Sequence, residues 1–115
     1  MNFGQVLTDL RVEKGIYQKE LASYLNVTIG TISNYENGVH YPDLSTLCQI
    51  ADYFHVTTDY LLGRTRYPHD LETLNRPLSK DYTIADLVNT TLELSPQNVS
   101  SMLDYVELLK LRQKQ

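Results

Sequence analysis

Residues 16–38, IYQKELASYLNVTIGTISNYENG, decide the fold of this chain. Residues 18–25 place apolar side chains at the spacing of one helix face, and residues 28–37 do the same after a short connection at residues 25–27. Gly38 marks the end of the second pattern. The stretch therefore predicts two helices of about eight residues joined by a tight turn, which is the helix-turn-helix arrangement.

Small and branched apolar side chains are placed where these two helices would cross. Ala22 suits a close crossing, because a larger side chain would push the helices apart. Leu21, Val27 and Ile32 would lock the crossing from either side. A rigid crossing lets the second helix enter the major groove of DNA while the first lies across the backbone. DNA binding is therefore the first function that the pattern indicates.

The residues on both sides of this pair continue the helical spacing. The first run ends near Gly15, the fourth begins after Asp43 and the fifth begins after Thr57, and the last two are good N-cap residues. No segment alternates apolar and polar residues as a strand does. Residues 1–63 therefore predict an all-α domain of five short helices. The apolar positions of the first, fourth and fifth runs are Phe3, Leu7, Leu10, Leu44, Leu47, Ile50, Ala51, Phe54, Leu61 and Leu62.

The pattern changes after this domain. Residues 64–80 contain two prolines and few periodic apolar residues, which is typical of a linker. Residues 81–115 return to helical spacing: Thr83 opens a capping-box pattern, and Ser95-Pro96 is a cap followed by proline at the first helical position. We expect a C-terminal helical segment over residues 81–115.

The last helix, over about residues 96–112, carries an apolar stripe that must be buried against something. It is too short to form a stable isolated coiled coil. One interpretation packs it against the preceding helix or the body of the same chain. The other, favoured because one small domain reads few base pairs, pairs it with a second copy in a homodimer. The predicted dimerisation residues are Val99, Met102, Leu103, Val106 and Leu109.

Composition excludes several classes of protein. The 115 residues are 42% apolar and carry a net charge of −4, the balance of a globular protein rather than a disordered one. The single cysteine, Cys48, excludes an internal disulfide and a multi-cysteine metal site, and its helical position predicts a packing role. Neither a membrane-spanning run nor a secretory signal is visible, so we expect a cytoplasmic protein. No motif indicates an enzyme, a cofactor or a metal site.

The spaced residues of roughly positions 3–63 resemble the Cro/repressor-type helix-turn-helix domains, the xenobiotic-response-element (XRE) family. The resemblance implies a five-helix, lambda-repressor-like DNA-binding domain, followed here by a C-terminal helical dimerisation extension. It covers over half of the chain. The matching residues are Leu10-Arg11, Gln18, Leu21-Ala22, Ile32, Glu36-Asn37-Gly38, Pro42, Leu47, Ala51 and Leu61-Leu62-Gly63.

The resemblance also implies roles for individual side chains. Asn34 would pair with adenine and Ile29 would touch a thymine methyl group. Arg11 and Glu36 would form a structural salt bridge between the first helix and the end of the third. The implied base-reading residues are Thr28, Ile29, Gly30, Ser33 and Asn34. The implied phosphate contacts are Gln18, Thr31 and Asn37.

The small number of basic residues argues against tight DNA binding by a single domain. Residues 28–38 contain no lysine or arginine, and residues 1–63 contain three basic side chains against seven acidic ones. Cationic contacts set much of the affinity for DNA, so a single domain should bind weakly. The resemblance implies a sequence-specific regulator of transcription, a repressor that binds an inverted-repeat operator in double-stranded DNA as a homodimer. The alternative is an antitoxin- or anti-repressor-like module that mainly binds another protein.

Overall fold

The computed structural model describes residues 1–115 and contains seven α-helices. The prediction of an all-α fold is confirmed. The chain divides into two compact units, an N-terminal unit of Met1–Leu71 and a C-terminal unit of Glu72–Gln115. The helices are α1 (Phe3–Lys14), α2 (Gln18–Leu25), α3 (Ile29–Glu36), α4 (Leu44–Phe54), α5 (Thr58–Leu61), α6 (Ile84–Glu93) and α7 (Pro96–Gln113).

Local hydrogen bonds explain where the helices of the N-terminal unit begin. The Thr28 hydroxyl accepts from the Thr31 N–H at 3.0 Å, and the Asp43 carboxylate accepts from the Thr46 N–H at 2.8 Å. These bonds satisfy N–H groups that have no partner within the helix. Tyr17, which precedes α2, makes no side-chain cap bond. The hydrogen bond from the Tyr17 N–H to Glu20, 3.2 Å long, is the compensating contact at that end.

The turn between α2 and α3 depends on one residue in the left-handed conformation. Asn26 has φ 58° and ψ 44°, and its N–H donates to carbonyl groups of the last turn of α2. Asparagine adopts this region more readily than most residues with a Cβ. The chain therefore leaves α2 abruptly and starts α3 two residues later at the Thr28 cap.

Eleven apolar side chains form the core of the N-terminal unit, and they come from all five of its helices. Helix α1 also crosses α3 closely, because a Cβ on Gly4 would collide with the carbonyl oxygen of Glu36. This core fixes α3 on its inner side. The buried residues are Phe3, Val6, Leu7, Leu21, Ala22, Leu25, Ile32, Tyr35, Ile50, Ala51 and Leu61.

The predicted packing role of Cys48 is wrong. Cys48 is exposed on α4, whereas Ile50 and Ala51 are buried and Leu47 packs against the core from a half-buried position. At about 100° per residue, position 48 turns away from the side that positions 47, 50 and 51 share. Residues adjacent in sequence lie on different sides of a helix, so the apolar neighbours of Cys48 do not show that Cys48 itself is buried.

The predicted linker, residues 64–80, and the first residues after it contain short regular elements that the sequence did not indicate. A 3₁₀ helix covers Leu71–Asn75, and the strand Pro77–Ser79 (β1) pairs antiparallel with Tyr82–Thr83 (β2). Strands of three and two residues are too short to show a period in the sequence. The boundary between the two compact units falls between residues 71 and 72, inside this segment.

The C-terminal unit is a helical hairpin without a buried core. Thr83 and Asp86 form the capping box of α6, and the Ser95 hydroxyl accepts from the Asn98 N–H at 3.2 Å to begin α7. No residue of Glu72–Gln115 is buried, and large apolar side chains such as Leu92, 79% exposed, remain open to solvent. None of the helices is long and apolar enough to cross a membrane.

Candidate nucleic-acid interface

The core holds α3 by one side and leaves its other side free. Ile32 is fully buried and Tyr35 is 7% exposed, so these two side chains form the inner side of the helix. Positions 30, 33, 34 and 37 lie on the opposite side of an α-helix from 32 and 35. The sequence therefore presents glycine and short polar side chains outward.

The residues predicted to read bases lie on and beside this outward side. Thr28, Ile29 and Gly30 are exposed, and Ser33 and Asn34 are half-buried. Ile29 is the exposed apolar side chain of α3, with 53% of its surface accessible. A Cβ on Gly30 would meet only the Thr28 hydroxyl oxygen, at 3.8 Å, so packing within the protein does not require glycine here.

Hydrogen bonds within the protein occupy most of the polar groups on this side. The hydroxyls of Thr28 and Thr31 are bonded to each other at 2.8 Å. The Asn37 amide donates to the Ser33 hydroxyl at 3.2 Å. No hydrogen bond within the protein involves the side chain of Asn34. Its carbonyl oxygen and both of its N–H groups are thus available to an outside partner.

A charged cluster ties the end of α3 to the first two helices. The guanidinium of Arg11 donates to Glu36 from Nε at 2.7 Å and from Nη2 at 3.2 Å, and Nη1 donates to the carbonyl oxygen of Ile16 at 2.9 Å. The side chains of Arg11 and Glu36 are 15% and 6% exposed. The hydrogen bond to Glu36 raises the pKa of Arg11 above its ordinary value. The pair acts as a fixed connection between helices.

Gln18 belongs to the same cluster, which the sequence did not reveal. Its Nε2 donates to Glu36 Oε1 at 2.9 Å across 18 residues of sequence. The amide group has a second N–H, which remains available to a phosphate oxygen. Thus Glu36 orients the side chain that was predicted to bind a phosphate. No sequence signal short of the fold itself would have placed these two residues together.

Lys19 lies beside this surface and has no ion-pair partner in the protein. A shallow depression brings Ile29 together with Arg11, Gln18 and Lys19, and Tyr17 completes its lining. The Lys19 ammonium lies 5.7 Å from the centre of the Tyr17 ring. Lysine in the first turn of a helix that crosses the DNA backbone is well placed for a phosphate.

Lys14 and Arg64 are engaged elsewhere, and Arg66 lines a separate depression with Met1, Val6 and Gly63. The Lys14 ammonium lies 4.3 Å from the centre of the Tyr53 ring and donates to the carbonyl oxygen of Tyr53 at 3.4 Å. Arg64 forms an exposed ion pair with Asp59 at 3.8 Å. The surface around α3 therefore holds little positive charge beyond Lys19 and the N-terminal ends of α2 and α3.

Comparison with known proteins agrees with this geometry. A helix-turn-helix family model matches residues 7–61. The HTH-type transcriptional regulator ImmR of Bacillus subtilis is 37% identical over 82 residues, which are 70% of this chain and 65% of that protein. The SPbeta prophage-derived uncharacterized HTH-type transcriptional regulator YonR of the same organism is 40% identical over 76 residues, 65% of this chain and 70% of that protein.

A solved structure shares the fold of nearly the whole chain. The crystal structure of a transcriptional regulator from Listeria innocua superposes with a TM-score of 0.54 at 23% sequence identity, over 96% of this chain and 94% of that one. The buried side of α3, its outward polar side and the sequence relatives lead to one conclusion. The chain belongs to the helix-turn-helix family of transcriptional regulators.

Proposed function

We propose that this protein is a sequence-specific DNA-binding repressor that acts as a homodimer on an inverted-repeat operator. The helix α3 enters the major groove, where Thr28, Ile29, Gly30, Ser33 and Asn34 face the base edges. Gln18, Thr31 and Asn37 contact phosphates. A docked dimer represses by occupying DNA that the transcription machinery needs.

The observation that carries the proposal is the division of α3 into two sides. Ile32 is 0% exposed on the inner side, whereas the side chain of Asn34 makes no hydrogen bond within the protein and Ile29 is 53% exposed. An amide that can both donate and accept suits a base edge. A helix fixed by a core and presenting such groups is what recognition in the major groove requires.

Neutral groups must supply much of the backbone binding. The eight-residue helix α2 begins at Gln18, and the eight-residue helix α3 begins at Ile29, two residues before Thr31. The free N–H groups at these two helix N-termini favour a phosphate. Lys19 adds one positive charge. With so few cationic contacts, the affinity of each domain should be low and two domains should be needed for stable binding.

The C-terminal unit supplies the surface through which two copies of the protein associate. Along α7, Leu103 is 53% exposed and Val106 is 42% exposed, and Val99, Met102 and Leu109 extend the same stripe from half-buried positions. Contact with α6, such as that between Thr91 and Met102 at 3.8 Å, covers only part of the stripe. A unit without buried residues gains its core when two such hairpins associate.

The substitution Val106→Asp is expected to convert the dimer into a monomer while both units stay folded. A carboxylate at the centre of the paired stripe would lose its water without gaining a partner. Sedimentation velocity at tens of micromolar protein measures the change. The matched control is Val12→Asp on α1, where the valine is 61% exposed outside the C-terminal unit. A wild-type monomer, or a Val106→Asp dimer, would contradict the assignment.

A second experiment separates DNA recognition from binding of a protein partner. The double variant Ile29→Ala/Asn34→Ala should keep its circular dichroism spectrum and thermal midpoint. Its affinity for a duplex enriched from a randomised pool should fall at least about tenfold, because one good bidentate base contact alone contributes about 1–3 kcal/mol. An unchanged affinity for DNA would remove α3 as the reading surface. It would then favour a protein-binding module, to which the exposed Ile29 and the acidic charge would be suited.

A further inference from the structure

Helix α7 has a second apolar side, separate from the predicted dimerisation stripe. Tyr105, Leu108 and Leu111 form this side, the Leu108 side, and they are 58%, 59% and 62% exposed. Together with Arg112 they line a shallow depression. At about 100° per residue, Leu108 lies about 160° around the helix from Val106. A helix that packs on the Val106 side therefore leaves the Leu108 side uncovered.

Helix α6 also leaves this side open. Its contact with α7 is on the other side, where the Thr91 hydroxyl lies 3.8 Å from the sulfur of Met102. Large apolar side chains that are grouped and exposed in this way mark an interaction surface. The Leu108 side is therefore a surface in need of a partner, and the charges beside it indicate which partner fits.

The charged residues beside this surface are placed symmetrically about Leu108. Asp104 lies four residues before Leu108, and Arg112 lies four residues after it. Neither forms an ion pair in the protein, whereas the neighbouring Glu107 and Lys110 pair with each other at 3.2 Å. A surface with opposite charges at equal distances from its centre is complementary to a copy of itself that runs in the opposite direction.

An antiparallel pair of α7 helices centred on Leu108 satisfies both the apolar and the charged positions. Tyr105 of each copy would meet Leu111 of the other, and Asp104 of each copy would meet Arg112 of the other. A parallel pair would instead place every residue against its own copy, so that two carboxylates and two guanidinium groups repel each other. The charges therefore select the antiparallel direction.

From this symmetry we infer that a second copy of this chain packs antiparallel on the Leu108 side of α7. The contact goes beyond the proposed homodimer, which uses the opposite side of the same helix, and it joins one dimer to the next. A stable interface uses about 20–30 residues on each partner, far more than this helix side provides. The contact should therefore form at hundreds of micromolar protein, above the concentration at which the homodimer forms.

Cysteine cross-linking locates the centre of the contact. In a Cys48→Ser background, Leu108→Cys places one thiol next to the same thiol of the second copy. Oxidised glutathione should then link two chains at least about tenfold faster than it links the control Val12→Cys, because a contact holds the two thiols together. Val12 is a suitable control because it is 61% exposed on α1, outside the C-terminal unit.

The same background tests the register of the pair. Asp104→Cys alone should cross-link no faster than the control, because its two copies would lie about 12 Å apart along the helix axis. A disulfide requires two Cα atoms within about 7 Å. An equimolar mixture of Asp104→Cys and Arg112→Cys should cross-link as fast as Leu108→Cys, since these two positions face each other in the antiparallel pair.

Reversal of the charges tests the direction of the pair without a cross-link. Asp104→Arg and Arg112→Asp each turn two attractions into repulsions and should weaken the association of dimers about tenfold. The double variant Asp104→Arg/Arg112→Asp should recover the wild-type association, because opposite charges meet again. Sedimentation equilibrium at hundreds of micromolar measures the average mass, which should exceed that of a dimer in the wild type. Glu13→Arg, exposed on α1, makes the same change of charge as Asp104→Arg and should leave the mass unchanged.

The outcomes distinguish this contact from the proposed homodimer. If Leu108→Cys cross-links no faster than Val12→Cys, or if the double charge variant associates no better than the single variants, the antiparallel contact is overturned and the homodimer is unaffected. A wild-type protein that is monomeric at tens of micromolar but cross-links at position 108 would instead remove the homodimer stripe and support the antiparallel contact.

Discussion

Glu36→Ala is expected to lower the free energy of unfolding of the N-terminal unit by about 3 kcal/mol. Removing one member of a buried ion pair leaves the other charge without a partner, which costs about 3–5 kcal/mol when burial is complete. Here the Arg11 side chain keeps 15% of its exposure, so we expect the lower end. A urea titration monitored by circular dichroism measures the change. The slope of the free energy of unfolding against urea concentration should stay the same.

A matched control is available on α1. Glu13 is exposed and has no hydrogen bond or ion pair, so Glu13→Ala should change stability by less than about 0.5 kcal/mol. Glu36→Gln should lie between the two variants, because its side chain keeps the shape and one acceptor oxygen. Equal stability of Glu36→Ala and Glu13→Ala would show that the cluster of Arg11, Gln18 and Glu36 does not hold the helices together.

The pH dependence of this cluster follows from the direction of the Arg11 shift. The pKa of Arg11 is raised in the folded state by its hydrogen bond to Glu36. A raised pKa contributes stability that is fully present below the ordinary value and is lost only as the pH rises through the folded one. Arg11 therefore stabilises the domain evenly across neutral pH and loses its effect only in strong alkali.

Ile32→Ala should have the second large effect, a loss of about 2–5 kcal/mol of stability. Ile32 is completely buried on the inner side of α3, so the change leaves a cavity beneath the helix that is proposed to read DNA. A domain of this size is stable by only about 5–10 kcal/mol. The variant should therefore unfold at a much lower urea concentration and bind DNA only to the extent that it remains folded.

Ile29→Ala is the matched control, because it makes the same substitution three residues away on the same helix. Ile29 is 53% exposed, so its removal should change stability by less than about 0.5 kcal/mol. It should nevertheless weaken DNA binding about fourfold, the loss expected for a methyl contact. If Ile29→Ala destabilised the domain as much as Ile32→Ala, the division of α3 into a buried and a recognition side would be wrong.

Helix boundaries were predictable wherever a cap is local. Asp43, Thr57, Thr83 and Ser95 each accept a hydrogen bond from an N–H three residues later, and each is predicted as a cap from sequence alone. The information needed for such a bond lies within four residues. A cap of this kind can therefore be predicted without knowledge of the fold.

Contacts between distant residues were not predictable in the same way. The bond from Gln18 to Glu36 spans 18 residues and has no signature in the sequence. The pairing of Arg11 with Glu36 was expected only from resemblance to a family. The strands at residues 77–79 and 82–83 were missed because they are too short to show a period. The base-reading, phosphate-binding and dimerisation residues stay predictions, since each depends on a partner outside this chain.

The purified protein is expected to bind a specific DNA sequence as a dimer. Selection from a randomised duplex pool at about 50 and 200 mM salt tests it most directly, because binding to phosphates alone weakens steeply with salt. We predict enrichment of an inverted repeat whose half-sites lie about one helical turn apart, retained at the higher salt. Recovery of no common sequence at the lower salt would contradict sequence-specific DNA binding by this protein.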